Sequence, residues 1–412
     1  MKVAIMGYGV VGSGVAEVLK KNHESILKKS TLSQLDLKYI LDIRDFPGDE
    51  NESLLVRDFN LILNDSEVGI VVETMGGLRP AFDFVSACLR AGKHVVSSNK
   101  ELVAEKGFEL LKIAEEKNVN FLFEASVGGG IPIIRPLSQC LAANEIDEIC
   151  GILNGTTNFI LTKMINEGMD FESVLKMAQD NGYAEKDPTA DIEGFDACRK
   201  ICILASLVYG KHVYPEEVHT EGITRISIAD VEYARDFGGV IKLIARAKKL
   251  DENKIFAMVS PMLVPGESQL STVDDVFNGI LVKGDSIGDV VFYGRGAGKL
   301  PTASAVVGDV IDCARSSGKK KFFGWGEGAP GYVADYLDAE TSLFIRAEAE
   351  NPCEALDAAK KTFGQITLLA RTAAPGRELA FITPAATERE LRTKLETLHI
   401  LTPLSVIRVA ES

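Results

Sequence analysis

The chain has 412 residues, 46% of them apolar and 25% charged, with a formal net charge of −14. That length allows two or three domains of ordinary size, each with a core of its own. The acidic balance argues against nonspecific binding to nucleic acid or to an anionic membrane surface.

The first element is strand-like, Lys2 to Met6, and runs straight into Gly7-Tyr8-Gly9-Val10-Val11-Gly12. Val11, Val15, Val18 and Leu19 then recur at helical spacing and form an apolar stripe. Strand, glycine turn and helix in that order predict a dinucleotide site. Gly7 turns the chain, Gly9 lets backbone amides reach a pyrophosphate, and Gly12 lets the helix pack on the sheet. Further strand-like runs follow at Leu37–Leu41, Val68–Val72, His94–Ser97 and Val119–Phe123, with helical patterns at Phe82–Arg90 and Leu102–Glu116. The alternation predicts an α/β fold, a doubly wound parallel Rossmann sheet, over residues 1–125. Candidate cofactor residues lie beyond its strand ends: Thr74, Lys100, and Arg44 two residues past Asp42. An acid at Asp42 suits the ribose hydroxyl of NAD, and Arg44 suits the 2′-phosphate of NADP. The gap from Gly12 to Asp42 is longer than the usual ~20 residues.

Glu124 leads into Ala125-Ser126-Val127-Gly128-Gly129-Gly130-Ile131-Pro132. By composition this is a hinge. Its glycines also allow a loop whose carbonyls turn inward around a monovalent cation. From 126 to about 300 strands and helices lose strict alternation. Strand-like Ile146–Leu153, Phe256–Leu263 and Asp289–Tyr293 and helices near Asn158–Asn166, Phe171–Asn181 and Asp191–Tyr209 predict an α+β substrate and dimerisation domain. Polar residues crowd its start: Asn154-Gly155-Thr156-Thr157-Asn158, then Gly182 to Pro188, then Asp191, Asp196 and Lys200. Asp196 and Lys200 stand i, i+4 at the edge of an apolar stripe of Ala197, Ile201, Leu204 and Val208. An exposed pair of this kind is worth tenths of a kcal/mol, about nothing for stability; facing a cleft it is a proton donor held by a carboxylate.

Gly294 to Pro301 is glycine-rich but lacks the first glycine and the Ser/Thr of a phosphate-binding P-loop. A helix over Thr302–Arg315 is expected to return to the first domain, which takes in about 300–320. The tail, 338–412, reads as strand Ser342–Ala349, helix Pro352–Phe363, strands Ile366–Thr372 and Glu378–Thr383, helix Thr387–His399 and strand Leu404–Val409. That is βαββαβ, a ferredoxin-like order. Seven scattered cysteines without a C-x-x-C pair point to reduced thiols, and His212 and His219 lack metal spacing and are expected at the surface. The longest apolar run, Ile201–Tyr209, is too short to cross a bilayer, and the start lacks a signal-peptide pattern, so a cytoplasmic location is expected.

Taken together, Gly7–Gly12, Ser98-Asn99-Lys100, Glu124–Pro132, Asn154–Asn158, Tyr183–Lys200 and Gly294–Asp309 resemble homoserine dehydrogenase over about residues 1–320, and the tail resembles that family's ACT extension. The resemblance implies reversible reduction of aspartate 4-semialdehyde to homoserine with NADPH or NADH. It implies Lys200 as proton donor, with Asp196 and Lys100 as further catalytic candidates. Glu185, Asp187, Asp191, Asp196, Asn154 and Thr156 would bind substrate. Gly7, Tyr8, Gly9, Val10, Val11, Gly12, Arg44, Thr74, Lys100, Gly182 and Gly298 would contact the cofactor. Glu124 with Val127, Gly129 and Ile131 would hold Na+ or K+. It also implies a homo-oligomer, at least a dimer, with threonine as allosteric inhibitor through the tail. Two rivals remain: aspartate-semialdehyde dehydrogenase, which needs a cysteine in a glycine-bounded turn that this sequence lacks, and a nucleotide- and amino-acid-sensing protein without catalysis.

Overall fold

The computed structural model describes residues 1–315, 320–372 and 374–411. The chain forms two compact units. One comprises residues 1–145, 202–215 and 294–329, and the other residues 146–201, 216–293 and 330–412.

The first unit is built on six strands: β1 (Lys2–Met6), β2 (Asp36–Leu41), β3 (Leu55–Val56), β4 (Val68–Glu73), β5 (His94–Ser97) and β6 (Phe121–Leu122). All pair in parallel, in the order β3-β2-β1-β4-β5-β6. The order reverses between β1 and β4, so the crevice where ligands bind such sheets opens at their carboxyl ends, at Gly7 and Thr74. The helix Val10–Lys21 buries Val15, Ala16 and Leu19 against this sheet. An extra helix, His23–Ser30, precedes β2 and accounts for the long spacing from Gly12 to Asp42. The helix Lys299–Arg315 lies against Val10–Lys21 closely enough that a Cβ on Gly14 would meet Lys299 O at 2.9 Å.

The second unit carries β7 (Ile146–Ile152), β8 (His219–Thr220), β9 (Gly239–Lys249), β10 (Ile255–Pro265), β11 (Phe277–Gly284), β12 (Gly288–Arg295), β13 (Glu340–Glu348), β14 (Thr367–Leu369), β15 (Glu378–Ile382), β16 (Ala386–Thr387) and β17 (Thr402–Val409). Its main path is β12-β11-β7-β9-β10-β17-β13-β15-β14, with β8 on β10 and β16 on β13. Within the tail the order β17-β13-β15-β14 is that of a ferredoxin-like βαββαβ module. The module's sheet does not close on itself. β17 pairs in parallel with β10 through Met262–Arg408 and Leu263–Val409, so one sheet runs through substrate domain and tail.

Several expectations are corrected. The single helix expected over Asp191–Tyr209 is two, Thr189–Ile192 and Phe195–Tyr209, broken where Gly194 takes φ +83°. β9 and β11 were not apparent in the sequence pattern. His212 is not a surface residue: it is 1% exposed and its Nδ1 accepts from Trp325 Nε1 at 3.0 Å. Cys140 and Cys353 are exposed, whereas the other five thiols are buried, and all seven are free. No helix among the described residues is long and apolar enough to cross a membrane.

Candidate active site

The glycine turn shows which of its glycines the backbone requires. Gly7 has φ +94°, and a Cβ there would sit 2.9 Å from Met75 backbone atoms. A Cβ on Gly12 would lie 1.9 Å from Gly7 O. Gly9 is different: the nearest atom to its Cβ position is Arg44 Nη2 at 3.9 Å. The first and third glycines are demanded by packing, and the second only by whatever occupies the space above it. Gly9 also caps the helix Val10–Lys21 without any side-chain bond, which leaves that helix's first N–H groups to an anion. Thr74 Oγ1 donates to Gly7 O at 2.8 Å and fixes the turn. Tyr8 is held through its hydroxyl, which donates to Asp49 (3.0 Å) and accepts from Asn51 (2.9 Å).

Asp42 follows β2 and accepts from Tyr8 N at 2.7 Å. It also takes the Arg44 guanidinium on both oxygens, at 2.9 and 2.8 Å. The Arg44 guanidinium holds the Asp42 carboxyl far below the usual carboxylate range. Arg44 itself is exposed, at the lip of the turn.

Lys100 opens the helix Lys100–Glu116 behind the cap Asn99, whose side chain accepts from Leu102 N. A residue missed in the sequence, Glu73, organises this corner. Fully buried at the end of β4, it accepts from Ser97 Oγ (2.6 Å) and Met75 N (2.9 Å) and ties the loops after β4 and β5 together. Burial pushes its pKa up. An acid closing a strand just before Thr-Met-Gly-Gly was the available signal.

In the second unit the structure brings Asn154, Asp191, Asp196 and Lys200 together. Lys200 Nζ donates to Asp196 Oδ2 at 2.7 Å and to Leu153 O at 2.6 Å. Asn154 Nδ2 bridges Asp191 Oδ1 (2.7 Å) and Asp196 Oδ2 (2.9 Å), while its Oδ1 caps the following helix at Thr157 N. Lys200 is 7% and Asp196 2% exposed, so this is a buried ion pair, not a solvated helix face. Thr156 Oγ1 donates to Tyr183 O at 2.7 Å and holds the Gly182–Pro188 segment at this helix start. Glu185 and Asp187 are not part of the cluster. Both are exposed, and Asp187 is spent capping Thr189. Gly182 and Gly298 have φ +73° and +124°, which only glycine adopts comfortably.

Glu124 corrects the picture of a carboxylate beside an open loop. Its oxygens accept three backbone amides, Ile133 (2.7 Å), Ile134 (2.8 Å) and Arg135 (2.8 Å). Its own N–H donates to Asp309 Oδ2 at 2.8 Å, and Asp309 also takes Arg135 Nη2 at 2.8 Å. The loop Val127–Ile131 is therefore anchored. Its two backbone bonds, Ile131 N to Gly128 O (2.8 Å) and Gly130 N to Arg295 O (3.1 Å), use none of the carbonyls of Val127, Gly129 and Ile131.

The residues 7–124 match the family profile described as "Homoserine dehydrogenase, NAD binding domain", and residues 132–311 match "Homoserine dehydrogenase". The homoserine dehydrogenase of Synechocystis is 45% identical over 76% of this chain and 73% of its own length. That of Corynebacterium glutamicum is 36% identical over 96% of this chain and 92% of its own. The chain belongs to the homoserine dehydrogenase family. It is an NAD(P)-dependent oxidoreductase, and a sensing protein without catalysis is not favoured. The crystal structure of a homoserine dehydrogenase from Thiobacillus denitrificans superposes with a TM-score of 0.87 at 35% identity, covering 100% of this chain and 98% of that one. A hyperthermophilic archaeal homoserine dehydrogenase in complex with NADPH gives 0.64 at 28% identity, covering 76% of this chain and 97% of that one.

Proposed function

We propose that this chain reduces L-aspartate 4-semialdehyde to L-homoserine with Lys200 as the proton donor. The observation that carries the assignment is the buried Asp196–Lys200–Leu153 triangle, which holds one ammonium by two acceptors. A bound nicotinamide supplies the hydride. As charge grows on the carbonyl oxygen, the Lys200 ammonium stabilises it and gives up a proton. Asp196 keeps that ammonium charged and aimed, and Asn154 fixes Asp196 against Asp191. Asp191 is the acid we assign to the substrate's α-ammonium. Thr156 Oγ1, whose proton goes to Tyr183 O, is left to accept from substrate. Asn154, its amide filled by Asp191, Asp196 and Thr157, serves the site by holding those acids. Glu185 and Asp187 are candidates on the family resemblance alone. Replacing Lys200 by Ala is expected to cost about 10²–10³ in kcat, the usual loss for one transition-state donor, with NADPH affinity unchanged. Near-normal kcat in that variant transfers the role to Lys100.

For the cofactor we assign Gly7–Gly12, Thr74 and Lys100, with NADP favoured through Arg44 at the lip of the turn. The open space over Gly9 and the uncapped helix start support the pyrophosphate position. For the cation, the carbonyls of Val127, Gly129 and Ile131 are hard oxygen donors suited to Na+ or K+, and Glu124 serves the site by anchoring its loop.

The functional division we propose is 1–125 with 300–320 for the dinucleotide, 126–300 for substrate, and 338–412 for regulation by threonine; within it residues 316–319, 373 and 412 lie outside the described ones. Apolar side chains on or beside the strand β12, Ile287 (43% exposed), Val291 (36%) and Tyr293 (57%), support a homo-oligomer; a cytoplasmic location remains part of the same proposal on the sequence alone. Sedimentation of the intact chain with and without threonine tests both assembly and regulation; a monomer indifferent to threonine ends them.

A further inference from the structure

The turn that carries Asp191 and Asp196 does not stand by itself. Ile192–Gly194 is stacked, backbone on backbone, against the loop Glu221–Ile223. A Cβ on Gly222 would lie 2.1 Å from Ile192 O and 2.5 Å from Glu193 Cα, so no side chain fits there. Ile223 N donates to Ile192 O at 2.8 Å. At the end of the turn, a Cβ on Gly194 would meet Thr220 Cγ2 at 3.1 Å and Glu221 O at 3.3 Å. The loop is in turn fixed to β10, where Glu221 N donates to Val259 O at 2.8 Å.

The side chain of Glu221 points to the tail. Its two oxygens accept Arg408 Nη1 (3.0 Å) and Nη2 (2.9 Å). Arg408, on β17 and 2% exposed, also donates Nε and Nη2 to Glu388, each at 2.7 Å. Glu388 is 1% exposed. One guanidinium thus joins two carboxylates from separate elements, a geometry that a lysine's single ammonium does not reproduce. Tyr336 packs under it, 5.5 Å from ring centroid to guanidinium, and stacks at 3.6 Å on His219, which itself sits 2.6 Å from Glu221.

We propose that Glu221 and Arg408 are positioning residues for the reaction: the tail's last strand holds the loop Glu221–Ile223 against the Ile192–Gly194 turn and so sets where Asp191, Asp196 and Lys200 stand. This rests on the reading of Asp196 and Lys200 as the reaction centre. The clamp reaches that centre through one backbone hydrogen bond and two close-packed glycines, Gly222 and Gly194, none of which can shift without moving the turn. Small displacements matter here, since misplacing a catalytic group by about 1 Å can cost about 10²-fold in rate. The tail is then part of the catalytic structure, not an appendage to it.

The experiment compares E221Q, R408K and their double variant with K200A and with F363L, a substitution in the tail's own core away from the clamp. E221Q and R408K are each expected to lower kcat about tenfold with KM for NADPH unchanged. The double variant should fall no further than the worse single one. F363L should lower the melting temperature while keeping kcat. Wild-type kcat in folded E221Q overturns the clamp, as does an equal fall in F363L, which would mark a general effect of stability. Should R408K fail to fold, E221Q carries the test, because it is isosteric and its side chain is 34% exposed. If K200A loses turnover and E221Q does not, only the clamp fails; if K200A keeps its turnover, the reaction centre itself is misassigned.

Discussion

Glu124 and Asp196 bury the same charge to nearly the same depth, 3% and 2% exposed, and use it in opposite ways. Glu124 is satisfied entirely by backbone, the amides of Ile133, Ile134 and Arg135. Asp196 instead takes side-chain donors, Asn154 Nδ2 and Lys200 Nζ, both on Oδ2. Backbone donors cannot rotate away or titrate, so a carboxylate bound to them is an anchor. Side-chain donors can do both, so a carboxylate bound to them governs an orientation and a charge. On the proposed function, the partner's chemistry more than the acid separates the structural Glu124 from Asp196.

The largest expected effect follows from breaking the anchor. In E124Q the amide presents only one acceptor oxygen to three N–H groups, and its NH2 faces a donor. A buried donor left without a partner costs about 1–3 kcal/mol, and a bond to a charged acceptor is worth about 1.5–3. We expect roughly 3 kcal/mol of lost stability in urea unfolding, together with a raised half-saturating concentration of K+ in a 205Tl+ or 23Na+ binding measurement. Unchanged stability removes Glu124 as the anchor. The loss should be flat with pH between about 8 and 10, because peptide N–H groups do not titrate there and the neighbouring Asp309, whose carboxyl burial pushes up to about 7, is already ionised.

D196N should behave otherwise. It is expected to lower kcat about 10²-fold, the low end of what a positioned acid–base group contributes. Its stability should also fall at neutral pH, since the buried Lys200 ammonium loses the charge of the carboxylate it is bonded to. That penalty can be relieved. The folded state then favours the neutral amine, so over the alkaline range the unfolded chain binds more protons than the folded one, and stability rises with pH. Unfolding curves for the two variants at about pH 8 and about pH 10, both above the range in which Asp309 titrates, decide the matter: D196N recovers towards wild type and E124Q does not. If both recover, or neither, the distinction drawn between the two carboxylates is wrong.

The same distinction explains what was legible in the sequence. Lys200 and Asp196 could be paired from the i, i+4 spacing alone, and the glycine turn could be placed by the strand before it and the helix after it. The bridge from Asn154 to Asp191 and Asp196 spans 37 and 42 residues and depends on a helix break at Gly194 that the apolar stripe conceals. Glu124's role was hidden for a different reason: its partners are amides, which every residue carries, so no residue type marks them. β9 escaped because its inward face includes Lys242, 0% exposed, which donates to Val273 O (2.7 Å) and Asp274 (3.0 Å) and interrupts the apolar alternation. The tail's order of strands was readable from its pattern, but its parallel joint to β10 rests on two residue pairs and has no sequence signature.

Asp42 stands between the two extremes and gives the smallest effect. It takes one backbone amide that matters for the turn, Tyr8 N at 2.7 Å, and one side-chain cation, Arg44. Its carboxylate is 6% exposed, whereas the Arg44 side chain is 58% exposed. In R44A the Tyr8 bond and the residue-44 backbone N–H to Asp42, 3.0 Å, both remain, so the turn should keep its shape and the melting temperature should scarcely move. What is lost is a guanidinium at the edge of the cofactor site, the group suited to a 2′-phosphate. At such an exposed position one charged contact is worth little more than 1 kcal/mol, so the ratio of kcat/KM for NADPH to that for NADH should fall about tenfold, equivalent to about 1.4 kcal/mol. Removing the arginine also takes one donor from each Asp42 oxygen, which leaves room on either to accept a ribose hydroxyl and pushes the ratio the same way by improving NADH. Measuring both cofactors separately tells the two contributions apart: a loss confined to NADPH means Arg44 binds phosphate, and a gain confined to NADH means its work is to occupy Asp42. An unchanged ratio places cofactor choice elsewhere in the first unit.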